Sequence, residues 1–202
     1  MIVKNIILDM LPSIWPMLLL ITIIAVSLRL SYLLKGGKKV VIYRELLYLV
    51  FILYVLCLYY IVTYQDSGYG GVNLTPFKEI FRYTIGSRKF FRNIIGNIVL
   101  FIPYGYFAAY FPHNKKMATV TFLTLLVSFS IEAIQYKIGR VFDIDDIILN
   151  TLGGVIGYLI FIVLDSVKNK LPRFMRSDAF LNFIAVIIVV LFILYAYKIR
   201  IF

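Results

Sequence analysis

Two stretches of the sequence decide the fold: residues 92–107, RNIIGNIVLFIPYGYF, and residues 128–158, SFSIEAIQYKIGRVFDIDDIILNTLGGVIGY. Both are mostly apolar, and their polar side chains recur at spacings of three, four or seven residues, which lie on one face of a helix. They predict three apolar helices whose polar residues sit at the ends that fall on one side of a membrane.

The chain as a whole has the composition of a membrane protein. Of its 202 residues, 62% are hydrophobic, and the mean hydropathy is +0.92; soluble domains are roughly 45–50% apolar. A hydrocarbon core about 30 Å thick requires about 20 apolar residues per helical pass, and the sequence contains several such runs. We therefore predict an all-α fold, a polytopic helix bundle that forms a single membrane domain over residues 1–202.

The positions of the apolar runs predict six membrane helices. Short basic connections separate several of them, including the turn KGGKK at 35–39, as is usual for membrane helices. The first run lacks the small-residue cleavage site of a secretory signal, so we expect it to remain as a helix. The predicted helices are Leu11–Leu34, Arg44–Tyr64, Asn93–Phe111, Met117–Tyr136, Asp146–Leu164 and Asp178–Tyr197.

Charge and cysteine content exclude other classes of protein. The formal net charge is +11, but the 21 Lys and Arg residues lie almost wholly between the apolar runs, where they favour membrane flanks over a nucleic-acid surface. The single cysteine, Cys57, permits no internal disulfide and lies in an apolar run.

The connection between the second and third helices differs from the others. Within it, Pro76–Tyr83 places Phe77, Ile80 and Phe81 on one helical face, the pattern of a short amphipathic helix that lies on the membrane surface. Thr75 would be its N-cap, with Pro76 at the first helical position. An ordinary polar loop is the alternative.

The alternation of six passes brings three groups of polar residues to the same membrane face. The start of the third helix, the end of the fourth and the start of the fifth all fall there, whichever face it is. At a rise of about 1.5 Å per residue, Asn97, Glu132 and Asn150 should lie at one depth, about one turn inside. The predicted binding residues are Asn93, Asn97, Glu132, Gln135, Arg140, Asp143, Asp146 and Asn150.

Small residues in the third and fifth helices predict close helix packing. One face of the fifth helix carries a stripe of polar and small residues, Asp146, Asn150, Gly153 and Gly157. The stripe is polar near the membrane face and has only glycines deeper in the membrane, where another backbone can approach. We also expect a kink in the third helix near Pro103. The predicted packing residues are Pro103, Gly105, Gly153, Gly154 and Gly157.

A carboxylate inside a membrane is costly unless it is paired or protonated. Arg140 is the nearest candidate cation for Glu132. A purely structural alternative also explains these residues: Glu132 and Arg140 would form an ion pair, and Asp143, Asp145 and Asp146 would cap the fifth helix. That alternative explains the inward amides at Asn97, Gln135 and Asn150 less well.

The same residues resemble a known family. Asn93 and Asn97 with Leu100-Phe101-x-Pro103-x-Gly105, then Ser130-x-Glu132-x-x-Gln135, Gly139-Arg140, Asp143, Asp146 and Asn150-x-x-Gly153-Gly154-x-x-Gly157, resemble the VanZ-like family. Asn73-Leu74-x-Pro76-Phe77 is similar to the element that precedes this core. The resemblance covers about residues 72–164 and implies a multi-pass protein of the bacterial cytoplasmic membrane, in a family linked to teicoplanin-type glycopeptide resistance.

Three functions are consistent with these residues. A binding protein would use the polar residues as a site for the head group of a lipid or a lipid-linked cell-wall precursor, with Arg140 pairing with a phosphate or carboxylate. An enzyme would use Glu132 with Asp143 or Asp146 as acid and base, or as ligands for Mg²⁺. A structural or partner-binding protein would use the cluster to hold the bundle together. We expect no resident cofactor or metal, and the lone histidine, His113, falls on the opposite face.

Overall fold

Six apolar helices dominate the computed structural model, which describes residues 2–36, 40–63 and 70–201. Within those residues, six helices are long and apolar enough to cross a membrane, so the predicted all-α polytopic fold is confirmed. The basic turn predicted at 35–39 falls largely outside the described residues, as does Tyr64, the predicted last residue of the second helix. The six spans are Ile14–Lys35, Ile42–Thr63, Arg88–Tyr110, Met117–Lys137, Ile144–Lys170 and Asp178–Tyr195.

The helices and strands follow one another in a simple order along the chain. Several helices extend beyond their predicted limits, because hydrogen bonding continues past the point where the apolar run ends. The elements are α1 (Ile2–Gly36), α2 (Ile42–Thr63), β1 (Gly71–Asn73), α3 (Lys78–Arg82), α4 (Arg88–Phe90), a π-helical turn (Phe91–Ile95), α5 (Gly96–Tyr110), α6 (Met117–Lys137), β2 (Val141–Asp143), α7 (Ile144–Lys170), a 3-10 turn (Arg173–Arg176) and α8 (Asp178–Ile201).

The chain divides into two compact units. One consists of Met1–Cys57 with Lys170–Phe202, and the other of Leu58–Asn169. We call them the outer-sequence unit and the central unit, after their positions in the sequence. The polar residues predicted to form a site all lie in the central unit.

A small parallel sheet in the central unit was not predicted. β1 pairs with β2 so that Gly71 lies opposite Val141 and Asn73 opposite Asp143. Three-residue strands are too short to show the alternating pattern from which strands are recognised. The pairing ties the connection after α2 to the connection between α6 and α7.

The end of α6 turns the chain into β2. Gly139 adopts a left-handed conformation with φ of 86°, its N–H donates to the carbonyl of Tyr136, and the Arg140 N–H donates to the carbonyl of Gln135 at 2.9 Å. This is the Schellman arrangement that ends many helices, and it favours glycine at the left-handed position. It fixes Arg140 directly beside the last turn of α6.

The short helix after β1 begins later than predicted. Its N-cap is Phe77, which has a left-handed φ of 66° and no side-chain capping bond within α3. The predicted cap, Thr75, and the predicted first residue, Pro76, both precede the helix. The prediction was wrong because the helix is capped by a residue from another part of the chain, described below.

The third span begins earlier than predicted and contains a π-helical turn. α4 begins after Ser87, whose side chain accepts a hydrogen bond from the N–H of Phe90. The π-helical turn Phe91–Ile95 then leads into α5, which continues through Pro103. The prediction that the third helix begins at Asn93 was therefore wrong, since Asn93 lies in the middle of the π-helical turn.

Glycines bring α7 against both α5 and α6. A Cβ at Gly153 would overlap the backbone of Ile98, and one at Gly157 would overlap the backbone of Ile102. Gly105 lies against the backbone of Gly154, and a Cβ at Gly154 would overlap the side chain of Thr124. Because Gly153 and Gly157 are four residues apart, as are Ile98 and Ile102, the two helices remain in contact along a full turn.

The outer-sequence unit is held by polar contacts near the helix ends. Arg29 in α1 forms an ion pair with Glu45 in α2 at 2.7 Å. The N–H of Tyr43 donates to Asn182 Oδ1 in α8 at 3.0 Å. Arg29, in the last third of the first span, thus pairs with a carboxylate on the next helix.

Candidate functional site

The centre of the candidate site is the carboxylate of Glu132 on α6. Glu132 is 1% exposed, and its Oε2 accepts a hydrogen bond from the backbone N–H of Asp143 at 3.0 Å. A buried carboxylate needs such donors to offset the loss of water. Glu132 therefore joins the end of α6 to the last residue of β2.

The amide of Gln135 connects Glu132 to Arg140. With the amide oriented to satisfy its neighbours, its nitrogen donates to Glu132 Oε1 at 2.7 Å and its oxygen accepts from Arg140 Nη1. The opposite orientation would allow the nitrogen to donate to the carbonyl of Val62 at 3.3 Å, but it would place the amide oxygen against the carboxylate. Amide orientations are assigned from such networks, and this one favours the bridge.

Arg140 is held by neutral groups rather than by a direct ion pair. Its Nη1 also donates to the carbonyl of Val62, in the last turn of α2, at 3.0 Å. The ion pairs found among the described residues do not include Arg140. The Gln135 amide lies between Glu132 and Arg140, so the direct ion pair of the structural alternative does not form. Within the described part of the chain, Arg140 Nε and Nη2 form no hydrogen bond.

The next acidic residue, Asp143, organises the sheet. Its Oδ1 accepts from the Asn73 amide at 2.9 Å and from the N–H of Asp145 at 2.9 Å. Burial raises the pKa of Asp143 above its usual range, while the bonds from Asp145 and Asn73 act in the opposite direction. Asp143 and Asn73 are paired across the sheet, so this contact fastens β1 to the start of α7.

Asp145 caps α3, the short helix for which the sequence predicted Thr75 as the N-cap. It is 1% exposed, and its carboxylate accepts three backbone hydrogen bonds, from Phe77 at 2.5 Å, Glu79 at 2.7 Å and Ile80 at 3.2 Å. The first N–H groups of a helix lack partners within it, and here a carboxylate from α7 satisfies them. In the structural alternative, Asp145 would cap the fifth helix together with Asp143 and Asp146. Nothing in that acidic run indicated α3 as the partner.

Asn97 and Asp146 form the third polar contact at this end of the bundle. The Asn97 amide donates to Asp146 Oδ1 at 2.5 Å, which joins the first turn of α5 to the first turn of α7. Asp146 is half-buried, and its Oδ2 has no hydrogen bond to any residue that the structure describes. Arg140 lies close enough to interact electrostatically with both Asp146 and Glu132.

Two predicted members of the site lie apart from it. The Asn150 amide donates to Ser128 Oγ at 2.9 Å, and Ser128 precedes Glu132 by one helical turn, so the prediction that Asn150 and Glu132 lie at one depth is wrong. The Asn93 amide, in the π-helical turn, donates at 2.8 Å to the hydroxyl of Tyr83, which directly follows α3. Ser128 was not predicted; its spacing of four from Glu132 was the available signal.

The residues that the structure brings together form what we call the polar cluster. In the described parts of the chain, no three His, Cys, Asp or Glu side chains are grouped so that they could hold a metal ion. Each oxygen of Glu132 accepts a hydrogen bond from the protein. By contrast, Arg140 Nε and Nη2 and Asp146 Oδ2 have no hydrogen bond to a described residue. The polar cluster comprises Asn97, Glu132, Gln135, Arg140, Asp143 and Asp146.

The fold is that of a multi-pass membrane protein, with a partly buried polar cluster at the ends of three spans. Residues 46–165 match the VanZ/LLP1 family. Over 137 aligned residues, the chain is 31% identical to Protein VanZ of Enterococcus faecium, and the alignment covers 64% of this chain and 74% of that relative. The chain therefore belongs to the VanZ/LLP1 family, as its motifs predicted. No solved structure matches it.

Proposed function

We propose that the protein binds an anionic head group through the polar cluster, and that the head group belongs to a membrane lipid or a lipid-linked cell-wall precursor. The observation that carries this proposal is the state of Arg140. Val62 and Gln135 hold one edge of its guanidinium, while Nε and Nη2 have no partner among the described residues. Two adjacent guanidinium donors match the geometry of a phosphate or carboxylate.

The surroundings of Arg140 support a binding role further. Arg140 is half-buried, so a bound anion would be partly shielded from water, where charge-assisted hydrogen bonds are stronger. Asp146 has one open carboxylate oxygen, which suits a hydroxyl or ammonium donor on the same head group. Asn97 and Gln135 are positioning residues, since they hold Asp146 and Arg140 in place.

By extension from its family, we propose that the protein resides in the bacterial cytoplasmic membrane and modulates susceptibility to teicoplanin-type glycopeptides. The support is its similarity to Protein VanZ. Binding of a precursor head group at the cluster would change the access of a membrane-directed glycopeptide to its target.

The catalytic alternative has less support. Glu132 was its main candidate, but it is 1% exposed and each of its oxygens accepts a hydrogen bond from the protein itself. It therefore holds β2 in place and offers a substrate little access. Asp143 is similarly engaged through one oxygen by Asn73 and Asp145.

The test uses the purified full-length protein and defined lipids. We expect Arg140→Ala to weaken binding of dioleoyl phosphatidic acid or of purified lipid II by roughly 10- to 100-fold, the loss of one or two charge-assisted hydrogen bonds, as measured by native mass spectrometry. Arg140→Lys should bind with intermediate affinity. Arg173→Ala, the same change of charge outside the cluster, is the matched control.

A cellular measurement separates binding from a structural role. Arg140→Ala should abolish any glycopeptide susceptibility phenotype while the protein remains at normal abundance in the membrane. If Arg140→Ala instead removed the protein from the membrane, or left both lipid binding and susceptibility unchanged, the proposed function would be wrong.

A further inference from the structure

The connection from β1 to the third span exposes large apolar side chains. Phe81 is 83% exposed and Ile85 is 86% exposed. Phe77, about half exposed, packs its ring against that of Phe81 with 6.2 Å between centroids. None of these side chains lies within a membrane-spanning segment, so their exposure is not that of a span facing lipid. They are not packed in the interior of the protein either.

Basic residues flank these apolar residues in the sequence. Residues 70–92 contain five basic residues and one acidic residue, a formal net charge of +4, and all five basic residues are exposed. The acidic residue, Glu79, is half-buried and bonds Arg82 and Tyr83 within the segment. The basic residues are Lys78, Arg82, Arg88, Lys89 and Arg92.

The segment is held in place and is not a loose loop. Asp145 accepts three backbone N–H bonds from the start of α3, β1 pairs with β2, and Tyr83 bonds Asn93 in the π-helical turn. The partners Asp145 and β2 follow the segment in the sequence and belong to other elements of the central unit, and Asn93 follows the segment directly. They fix which side chains point away from the protein, Phe81 and Ile85 above all.

We infer that this segment is a docking surface for anionic phospholipids of the bilayer leaflet at that face. The segment follows α2 and runs directly into the third span at Arg88, so it lies where the bilayer boundary must be. Apolar side chains flanked by Lys and Arg are the composition of segments that insert into an anionic membrane interface. Phe81 and Ile85 would enter the acyl region, and the basic residues would contact lipid phosphates.

This inference is independent of the proposed function. The docking surface would hold many exchanging lipids by charge and apolar insertion, whereas the polar cluster would bind one head group through Arg140. The two sites use different residues, and their variants should have separable effects.

A single tryptophan reporter tests the inference in the full-length protein. The native chain has one tryptophan, Trp15; the reporter variant combines Trp15→Phe with Phe81→Trp. It is reconstituted in nanodiscs of phosphatidylcholine that contain a minor fraction of either brominated phosphatidylcholine or brominated phosphatidylglycerol, and the quenching of fluorescence is measured. Ile85→Trp in the same background is a second reporter in case the first does not fold.

We expect both brominated lipids to quench the reporter, and the anionic lipid to quench at least about twice as strongly at low salt. The preference should fall when Lys78, Arg88 and Lys89 are changed to Gln; Arg82 and Arg92 are kept because they bond Glu79 and Asn93. The unchanged protein provides the control, since Trp15 in α1 should show no such preference.

Two outcomes would overturn the inference. Absence of quenching at both reporter positions would show that the segment does not enter the membrane, and equal quenching by the two lipids would exclude an anionic docking surface. Arg140→Ala should leave the preference at position 81 unchanged, so a failure here is distinct from a failure of the proposed function.

Discussion

The central unit and the outer-sequence unit bury their surfaces in different ways. In the central unit, α7 contains buried glycines and buried polar residues such as Asn150, and α6 contains the buried Ser128 and Glu132. In the outer-sequence unit, the described side chains of α8, Asp178 to Tyr195, bury almost nothing within the protein, and those from Phe183 to Tyr195 are mainly exposed and apolar.

The difference follows from what covers each surface. Where a helix faces lipid, acyl chains cover Leu, Ile and Val side chains as well as protein would, so no particular sequence is required. Where helices pack against each other, backbones approach through small residues, and polar groups must be paired inside the contact. The central unit therefore contains the specific residues, and the outer-sequence unit is mostly apolar.

The largest effect on stability should come from placing a side chain at the glycine contact in the central unit. Gly157→Val would drive two methyl groups into the backbone of Ile102, and we expect a loss of roughly 3 kcal/mol or more, or a fall of about 10 °C in the unfolding temperature in detergent. Ala179→Val, on the exposed start of α8, is the control and should have little effect. Equal effects of the two changes would refute the contrast between the units.

A smaller effect is expected from the buried carboxylate. Glu132→Ala would leave the N–H of Asp143 and the Gln135 amide without their acceptor, and should lower the free energy of unfolding by about 2–3 kcal/mol. Glu132→Gln, which keeps one acceptor oxygen, should cost less. Glu45→Ala, which removes the partly exposed pair with Arg29 in the outer-sequence unit, should cost no more than about 1 kcal/mol. Thermal unfolding of the three variants in the same detergent would measure the order.

Removal of the cap from α3 should produce a local effect. Asp145→Ala deletes the acceptor of the Phe77, Glu79 and Ile80 amides, and their hydrogen exchange should accelerate by roughly 5- to 30-fold, about 1–2 kcal/mol of local opening. Asp178→Ala at the exposed start of α8 is the control. Unchanged exchange in α3 would mean that Asp145 does not hold this helix.

The smallest effect should come from a side chain that faces lipid. Ile188→Ala removes a 60% exposed side chain from α8, and we expect less than about 1 kcal/mol, since acyl chains replace the lost contact. Leu149→Ala, at a buried position of α7, should cost roughly 2–4 kcal/mol because it leaves a cavity. Similar losses at the two positions would show that α8 is packed against protein and not covered by lipid.

Much of the site could be predicted because its signals are local. The spacing of Glu132 and Gln135 placed both on the buried face of α6, and the alternation of the spans brought Asn97 and Asp146 to the same end. The partners were less predictable. Asn93 was predicted at the cluster but bonds the Tyr83 hydroxyl. In the structural alternative, Asp145 would cap the fifth helix and Arg140 would pair directly with Glu132. Asp145 instead caps α3, and the Gln135 amide lies between Arg140 and Glu132.

Hydropathy and helical spacing predict the six spans and the end of the bundle at which polar residues gather, because both depend on neighbouring residues alone. Which groups bond to one another depends on the tertiary fold. Asp145 meets a backbone 68 residues away in the chain, and Arg140 meets a carbonyl 78 residues away. Backbone N–H and C=O groups are the same in every residue except proline, so the sequence cannot indicate which of them a side chain will contact.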